Sequence, residues 1–379
     1  MIDQTREKAL AEAAIAALRR GDGPTALTTL REMAAPPPML LAQACHRCGD
    51  LEGEAAALRH ILDGDMRNLP ALLGMGQNAL RRGDERGSIS WFRAALAQAA
   101  ATGAPPQVQP LLQQAQASVA QSSRKFEDHL SAAIRDLPPL PRIAQATDLL
   151  LGKSELYLQQ PSMFYFPGLP QRAFYERSEF GWVAAVEAMT DAIVDELTAI
   201  RAQAGDFAPY VQTSVDRPAP NNPLRDDDSW GALYFWQNGA PVEENARRCP
   251  TVMAALAHAP MPAIQRRSPS ALWSLLKPGT HIQPHHGLLN TRLICHLPLL
   301  TPGDCALRVG AETREWRKGE LLIFDDSIEH EAWNRSAQTR VVLLFEIWRP
   351  EINVEEREAL TRLFEAIDAF GPAQIDMGG

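Results

Sequence analysis

The sequence predicts a chain in two parts, α-helical hairpins in front and a mostly β sandwich or barrel with flanking helices behind. Three observations carry this. Over the first hundred residues an alanine- and leucine-rich pattern is interrupted by Arg19-Arg20-Gly21-Asp22, Arg47-Cys48-Gly49-Asp50 and Arg81-Arg82-Gly83-Asp84. From Trp230 onward, short β-prone runs at 230–236, 271–276, 291–299, 305–309, 320–324 and 340–348 are separated by Pro, Gly or Asp, with no helical pattern expected between them. Five of the nine histidines fall between His281 and Arg340, inside that β-prone stretch.

In the front part, the second and third interruptions lie 34 residues apart, which is the tetratricopeptide period. Gly76 sits where a small residue lets paired helices approach, Gly83-Asp84 makes the turn, and Ile89, Phe92, Ala95 and Leu96 supply the packing stripe of the following helix. The first interval is only 28, and Pro36-Pro37-Pro38 crowds the junction, so the first unit is expected to be short or irregular. Cys45 and Cys48 lie on this helical pattern without a second ligand pair, which favours packing over metal or redox chemistry. Residues 101–120, rich in Ala, Gln, Pro and Ser, read as a linker turning helical after Pro110, and 122–137 as a further helix ended by proline. Residues 182–200 read as the last long helix before the strands. The expected domains are helical hairpins at 1–115, a helical linker at 116–160, the β domain at 161–352, and a C-terminal helix and tail at 353–379.

Composition narrows the function. The chain has 379 residues, a 45% hydrophobic share and a formal charge of -9. That suits cored domains and argues against nucleic acid or an anionic membrane as the main partner. Five scattered cysteines, no basic-then-apolar leader and no run of about 18 apolar residues point to a reducing, cytoplasmic setting.

The chemistry concentrates in four runs: Pro284-His285-His286-Gly287, Arg292 to His296, Asp325 to His330, and Arg340 followed by an apolar strand. His285 and His330, each beside a turn, would converge across a double-sheet barrel. An acid two residues after the first histidine would complete the two-histidine, one-carboxylate set of non-haem iron sites, but that position is Gly287. On spacing alone, polar turn histidines remain an open alternative. Arg340 at the head of an apolar strand requires an anion partner if buried.

Residues from about 164 to 350 resemble the aspartyl/asparaginyl β-hydroxylase family. The resemblance rests on Ser274, Lys277-Pro278-Gly279-Thr280-His281, Pro284-His285-x-Gly287, Asn290-x-Arg292-Leu293, His296, Gly319-Glu320, Ile323-Phe324-Asp325-Asp326-Ser327-x-Glu329-His330-Glu331-x-Trp333, Arg340 and Trp348-x-Pro350. It implies a double-stranded β-helix, or jelly roll, over 161–352, using Fe(II), 2-oxoglutarate and O2. His285 and His330 would be the only protein ligands of the iron, with Gly287 at the vacant acid position. Arg340 and Ser274 would bind the distal carboxylate of 2-oxoglutarate, and His296 the carboxylate near the metal. The family commonly has an arginine two residues before this histidine. Here that residue is Ile294, which leaves Arg292 as a partial substitute. Asp326 would accept a hydrogen bond from a metal-bound water or orient the ligands from outside.

The expected reaction is hydroxylation of an unactivated carbon, foremost the β-carbon of an Asp- or Asn-type residue in a peptide or protein, with release of succinate and CO2. Lipid acyl chains are the alternative substrate within the family. An interaction protein carrying an inactive jelly roll is the alternative outside it. Trp230 to Trp236 and Arg247-Arg248 are candidate substrate-facing features, and the helical repeats a candidate partner surface.

Overall fold

Asp22, Asp50, Asn68 and Asp84 each accept a hydrogen bond from the backbone N–H three residues on. Gly21, Gly49 and Gly83 adopt positive φ just before three of these caps. Each Gly-Asp step therefore ends one helix and starts the next, since glycine reaches the left-handed region without a Cβ clash and the carboxylate satisfies an orphan N–H of the first turn. The computed structural model describes residues 4–138, 140–202, 207–213, 218 and 221–370. Contacts divide the chain into Met1–Leu151 and Gly152–Gly379.

The first unit holds α1 (Gln4–Arg19), α2 (Gly23–Arg31), α3 (Pro38–Cys48), α4 (Leu51–Gly64), α5 (Leu69–Arg81), α6 (Glu85–Thr102), α7 (Gln109–Ile134) and α8 (Pro141–Leu150). From α1 to α7, each helix packs on its sequence neighbour. A Cβ at Gly76 would collide with the Phe92 ring, so the glycine sets the close approach of α5 and α6. The short α2 matches the shortened first unit. The expected linker is different: α7 is one continuous helix that spans residue 115 and buries Leu112 and Ala115. Alanine and glutamine favour helix, and Pro110 falls in its first turn, where its missing N–H costs nothing.

The second unit holds β1 (Phe174–Tyr175), α9 (Val183–Glu187), α10 (Thr190–Arg201), β2 (Ala208–Pro209), β3 (Trp230–Gln237), β4 (Ala240–Pro241), α11 (Glu243–Arg248), α12 (Pro250–Leu256), β5 (Ala271–Leu276), β6 (Thr280–His285), β7 (Arg292–Leu300), β8 (Cys305–Val309), β9 (Glu312–Glu315), β10 (Leu322–Phe324), β11 (His330–Asn334), β12 (Arg340–Trp348) and α13 (Val354–Phe370). The tail at 371–379 lies outside the described residues. The single helix expected over 182–200 is broken into α9 and α10, where the Thr190 hydroxyl donates to the Glu187 carbonyl. Two short helices, α11 and α12, interrupt the strand region that was expected to have none.

The strands form an eight-stranded sheet in the order β1-β10-β7-β12-β5-β3-β2, with β4 on β3, and a four-stranded sheet in the order β6-β11-β8-β9. The two sheets are separately hydrogen-bonded among the described residues, and no closed barrel is seen. Leu233, Phe235, Trp273, Leu293, Cys295, Leu297, Leu343, Phe345 and Ile347 pack outward from the larger sheet against α9, α10 and α12. The opposite face meets the smaller sheet through Leu276, Ile294 and Val342 against Ile282, Leu307, Val309 and Ala332. Central strands covered on both faces lose the alternation of a half-exposed strand and read as unbroken apolar runs.

A buried ion pair fixes the turn that carries Asp326 and leads to His330. Arg349, with no exposed surface, donates to Asp325 at 2.6 Å and to the Pro170 carbonyl at 2.9 Å. Asp325 also accepts from Gln159 and from Ser327. Removing one partner leaves the other charge buried and uncompensated, at a cost of roughly 3–5 kcal/mol. Arg349→Met is therefore expected to lower the urea midpoint of the β unit strongly, and Asp325→Asn added to it to recover part of the loss. An unchanged midpoint in Arg349→Met would show that the pair does not hold this turn.

Candidate active site

Strand parity builds the site. On β7 the odd residues face the helices, while Arg292, Ile294 and His296 point between the sheets. On β12 the same alternation sends Arg340, Leu344 and Glu346 inward, and on β5 it sends Leu272 and Ser274. These side chains line one cavity together with His285, Gly287, Asp326, His330, Tyr210 and Trp230. All eight residues singled out from the sequence, Ser274, His285, Gly287, Arg292, His296, Asp326, His330 and Arg340, thus line a single cavity.

His285 and His330 are placed differently from the expectation. They were read as turn residues converging across a barrel, yet both lie on strands of the smaller sheet and are direct cross-strand partners. Their ring centroids are 4.1 Å apart. The polar Gln283-Pro284-His285 sequence disguised β6 as a turn. His285 Nδ1 lies 2.8 Å from the Gln283 carbonyl oxygen and His330 Nδ1 3.1 Å from the Ile328 carbonyl oxygen. A carbonyl only accepts, so each ring carries its proton on Nδ1 and presents an Nε2 lone pair. Burial holds both rings below the ordinary histidine range, His330 well below it, and the neighbouring His285 lowers His330 further. Two adjacent neutral imidazoles with free Nε2 atoms fit a divalent metal, with their Nδ1 atoms anchored as ligand histidines commonly are. No group of three or more His, Cys, Asp or Glu side chains suited to a metal occurs among the described residues. Among the described residues no carboxylate accordingly joins this pair, in keeping with glycine at 287.

Gly287 is a matter of space. Its φ is outside the left-handed region, so the backbone freedom of glycine is not what the position uses. A Cβ there would lie under 3.0 Å from Cγ and both carboxylate oxygens of Asp326. The Gly287 N–H also donates to the Asp326 carbonyl at 2.6 Å, tying the two segments together.

Arg340 is buried and donates to the Ser274 carbonyl at 3.0 Å and to its hydroxyl at 3.3 Å. Among the described residues no carboxylate forms an ion pair with it, and its Nε has no hydrogen-bond partner. Burial without a counter-charge pushes its pKa down to about 10. Among the described residues no carboxylate offsets the desolvation of this cation, an arrangement that suits an external anion.

Arg292 differs from its expected role as a stand-in for an arginine at Ile294. It donates to Glu346 and, at 3.3 Å, to Asp326. Burial opposes its charge, but these two acids outweigh that and raise its pKa. A guanidinium already matched by two carboxylates has little field left for a dianionic co-substrate. Asp326 is likewise committed to Arg292, and its burial raises its pKa to about 6. Its Oδ1 has no hydrogen-bond partner, so it retains one acceptor for the orienting role expected of it.

The remaining sequence candidates separate clearly. His281 pairs with Glu331 at 2.6 Å, and Glu331 and Glu329 both accept from Arg308, so these groups form a network outside the cavity lining. His286 is partly exposed and off the lining, and Arg247 and Arg248 end α11 away from it. Trp230 does line the cavity, stacked on Tyr210 with centroids 4.1 Å apart. Sequence reasoning missed Glu346, Tyr210 and Trp316. Parity would have found Glu346, because it lies an even number of residues from Arg340 on one strand.

The fold and cavity define a two-sheet β protein with a paired-histidine, buried-arginine pocket, preceded by a helical unit. Residues 187–350 match the family "Aspartyl/Asparaginyl beta-hydroxylase", and the chain belongs to that family through this region. It is 31% identical over 206 residues to the human Aspartyl/asparaginyl beta-hydroxylase, covering 53% of this chain and 26% of that protein. With human Aspartate beta-hydroxylase domain-containing protein 2 it shares 30% over 211 residues, 55% of each chain. With the Ornithine lipid ester-linked acyl 2-hydroxylase of Rhizobium tropici it shares 31% over 179 residues, 46% of this chain and 60% of that one. The match thus spans less than two thirds of each relative. No described helix is long and apolar enough to cross a membrane.

Proposed function

We propose that the β unit is an Fe(II)- and 2-oxoglutarate-dependent dioxygenase that hydroxylates an unactivated carbon, with the two sheets as the layers of a double-stranded β-helix. One observation carries the reading: two neutral imidazoles offering Nε2 lone pairs line the same buried cavity as a guanidinium that has no carboxylate partner among the described residues. His285 and His330 would hold the metal, which when bound supplies the oxidising chemistry. Arg340 and the Ser274 hydroxyl bind the distal carboxylate of 2-oxoglutarate, and His296 donates to an anionic oxygen nearer the metal. Arg292, clamped by Glu346 and Asp326, stiffens the other end of the same sheet face. The apolar lining of Ile282, Ile294, Leu307, Phe324 and Leu344 excludes water. One oxygen atom of O2 enters the substrate C–H bond as hydroxyl, the other enters succinate, and CO2 leaves.

The family name favours the β-carbon of an Asp- or Asn-type residue in a peptide or protein as the target. The helical unit, read as tetratricopeptide-like hairpins, is the proposed partner surface. The decisive experiment incubates the purified chain with Fe(II), 2-oxoglutarate and O2 and measures succinate. Slow iron-dependent succinate formation is expected even without the true substrate. Absence of both iron binding and turnover across peptide, amino-acid and acyl-lipid panels would instead favour an interaction protein. Arg340→Met is expected to raise the 2-oxoglutarate concentration for half-maximal turnover on the order of 100-fold, since a charge-assisted contact inside a dry pocket is lost. Iron affinity should stay near wild type, and a parallel loss of iron would place Arg340 in folding rather than co-substrate binding.

A further inference from the structure

We infer that Trp316 is a positioning residue that locks His296 in the tautomer able to donate a hydrogen bond into the cavity, while its ring faces the Arg340 guanidinium. The inference rests on the anion-binding role proposed above for that end of the cavity.

Trp316 directly follows β9 and is buried. Its indole Nε1–H lies 3.3 Å from His296 Nδ1. An indole nitrogen only donates, so Nδ1 of His296 must accept, and the one proton of a neutral ring then sits on Nε2. Burial, with Arg340 adding to it, keeps His296 well below the ordinary histidine range, so the ring has a single N–H to place. This is the reverse of His285 and His330, whose Nδ1 protons are drawn to backbone carbonyls. Three neutral imidazoles line one cavity, and their outer partners divide them into two lone-pair bearers and one donor. Without the indole N–H, no other hydrogen bond to Nδ1 among the described residues would stop His296 from turning a lone pair toward an anion, where it would repel rather than bind.

The same residue serves the cation. The Arg340 guanidinium carbon lies 4.6 Å from the centre of the Trp316 ring. An aromatic face stabilises a desolvated guanidinium without neutralising it, so the charge remains available to a ligand. This matters more because Ile294, on the same face of β7, brings no charge, leaving His296, Arg340 and the Ser274 hydroxyl as the donors at this end.

The full chain, labelled with 15N-histidine and free of metal, allows the tautomer to be read by long-range proton–nitrogen correlation, with the His296 signal assigned by its loss in His296→Gln. Wild type should show His296 protonated on Nε2. Trp316→Phe keeps an aromatic ring over Arg340 but removes the N–H. It should populate the Nδ1–H form and weaken anaerobic 2-oxoglutarate binding in the presence of Fe(II) by about tenfold, the scale of one lost polar contact. Trp316→Leu removes both contributions and should weaken it further. His296 protonated on Nδ1 in wild type would overturn the inference without recourse to any variant, as would a Phe variant with unchanged tautomer and unchanged affinity. If wild type binds no 2-oxoglutarate yet the tautomer shifts in Trp316→Phe, the positioning role stands and the dioxygenase reading falls.

Discussion

Alanine at either His285 or His330 is expected to abolish iron-dependent turnover and to weaken Fe(II) binding by more than 100-fold. Loss of outer-shell partners alone typically costs about 10–100-fold in metal affinity, and loss of a ligand exceeds that. The effect should be larger here than at sites with a carboxylate, because in the proposed site each histidine supplies half of the protein's ligands. Because the two residues are cross-strand partners, removing one ring also takes away the other's facing imidazole. His286→Ala and His281→Ala serve as controls. His286 is off the cavity lining, and His281 is engaged with Glu331, so both variants should keep near-wild-type iron affinity. Equilibrium titration with Fe(II) under anaerobic conditions, paired with a succinate assay, separates binding from turnover. Wild-type affinity in both His285→Ala and His330→Ala would dismiss this pair as the metal site.

How far this site was legible in the sequence follows from how the β unit is buried. β3, β5, β7 and β12 are largely buried on both faces, so each stands out as a run rich in Val, Leu, Ile and aromatic residues, and their positions were read almost to the residue. The polar residues embedded in those runs, Ser274, His296 and Arg340, were conspicuous for the same reason. β6 and β11 were not seen as strands, because Thr-His-Ile-Gln-Pro-His and His-Glu-Ala-Trp-Asn carry too few apolar residues to signal one. That cost the cross-strand pairing of the two histidines, although both residues were singled out. The commitment of Arg292 to Glu346 and Asp326 was out of reach. It depends on which strands are neighbours, and β7 and β12 pair across a chain separation that no local pattern reports. In the helical unit, caps and the Gly76 contact were local and therefore readable. The length of α7 was misjudged because an Ala- and Gln-rich stretch has the composition of a linker and the propensity of a helix.

Gly287→Asp, which on paper restores a facial triad, is expected to lose most of its activity. The added Cβ alone would lie under 3.0 Å from the Asp326 carboxylate, so the Asp326 turn or the His285 loop must shift. The new carboxylate would also face a buried acid whose pKa is already raised to about 6 by its surroundings, and two carboxylates this close resist joint ionisation. If the loop yields, the carboxylate occupies a coordination position that the proposed chemistry leaves to water or substrate, and it changes the net charge on the metal. Gly287→Ala separates these causes, since it adds the steric clash without the charge or the ligand. Activity should fall in Gly287→Ala through displacement of Asp326, and fall further in Gly287→Asp, with iron bound in both. Should Gly287→Asp turn over substrate at the wild-type rate with iron equally well bound, the dependence on a carboxylate-free metal site would be wrong.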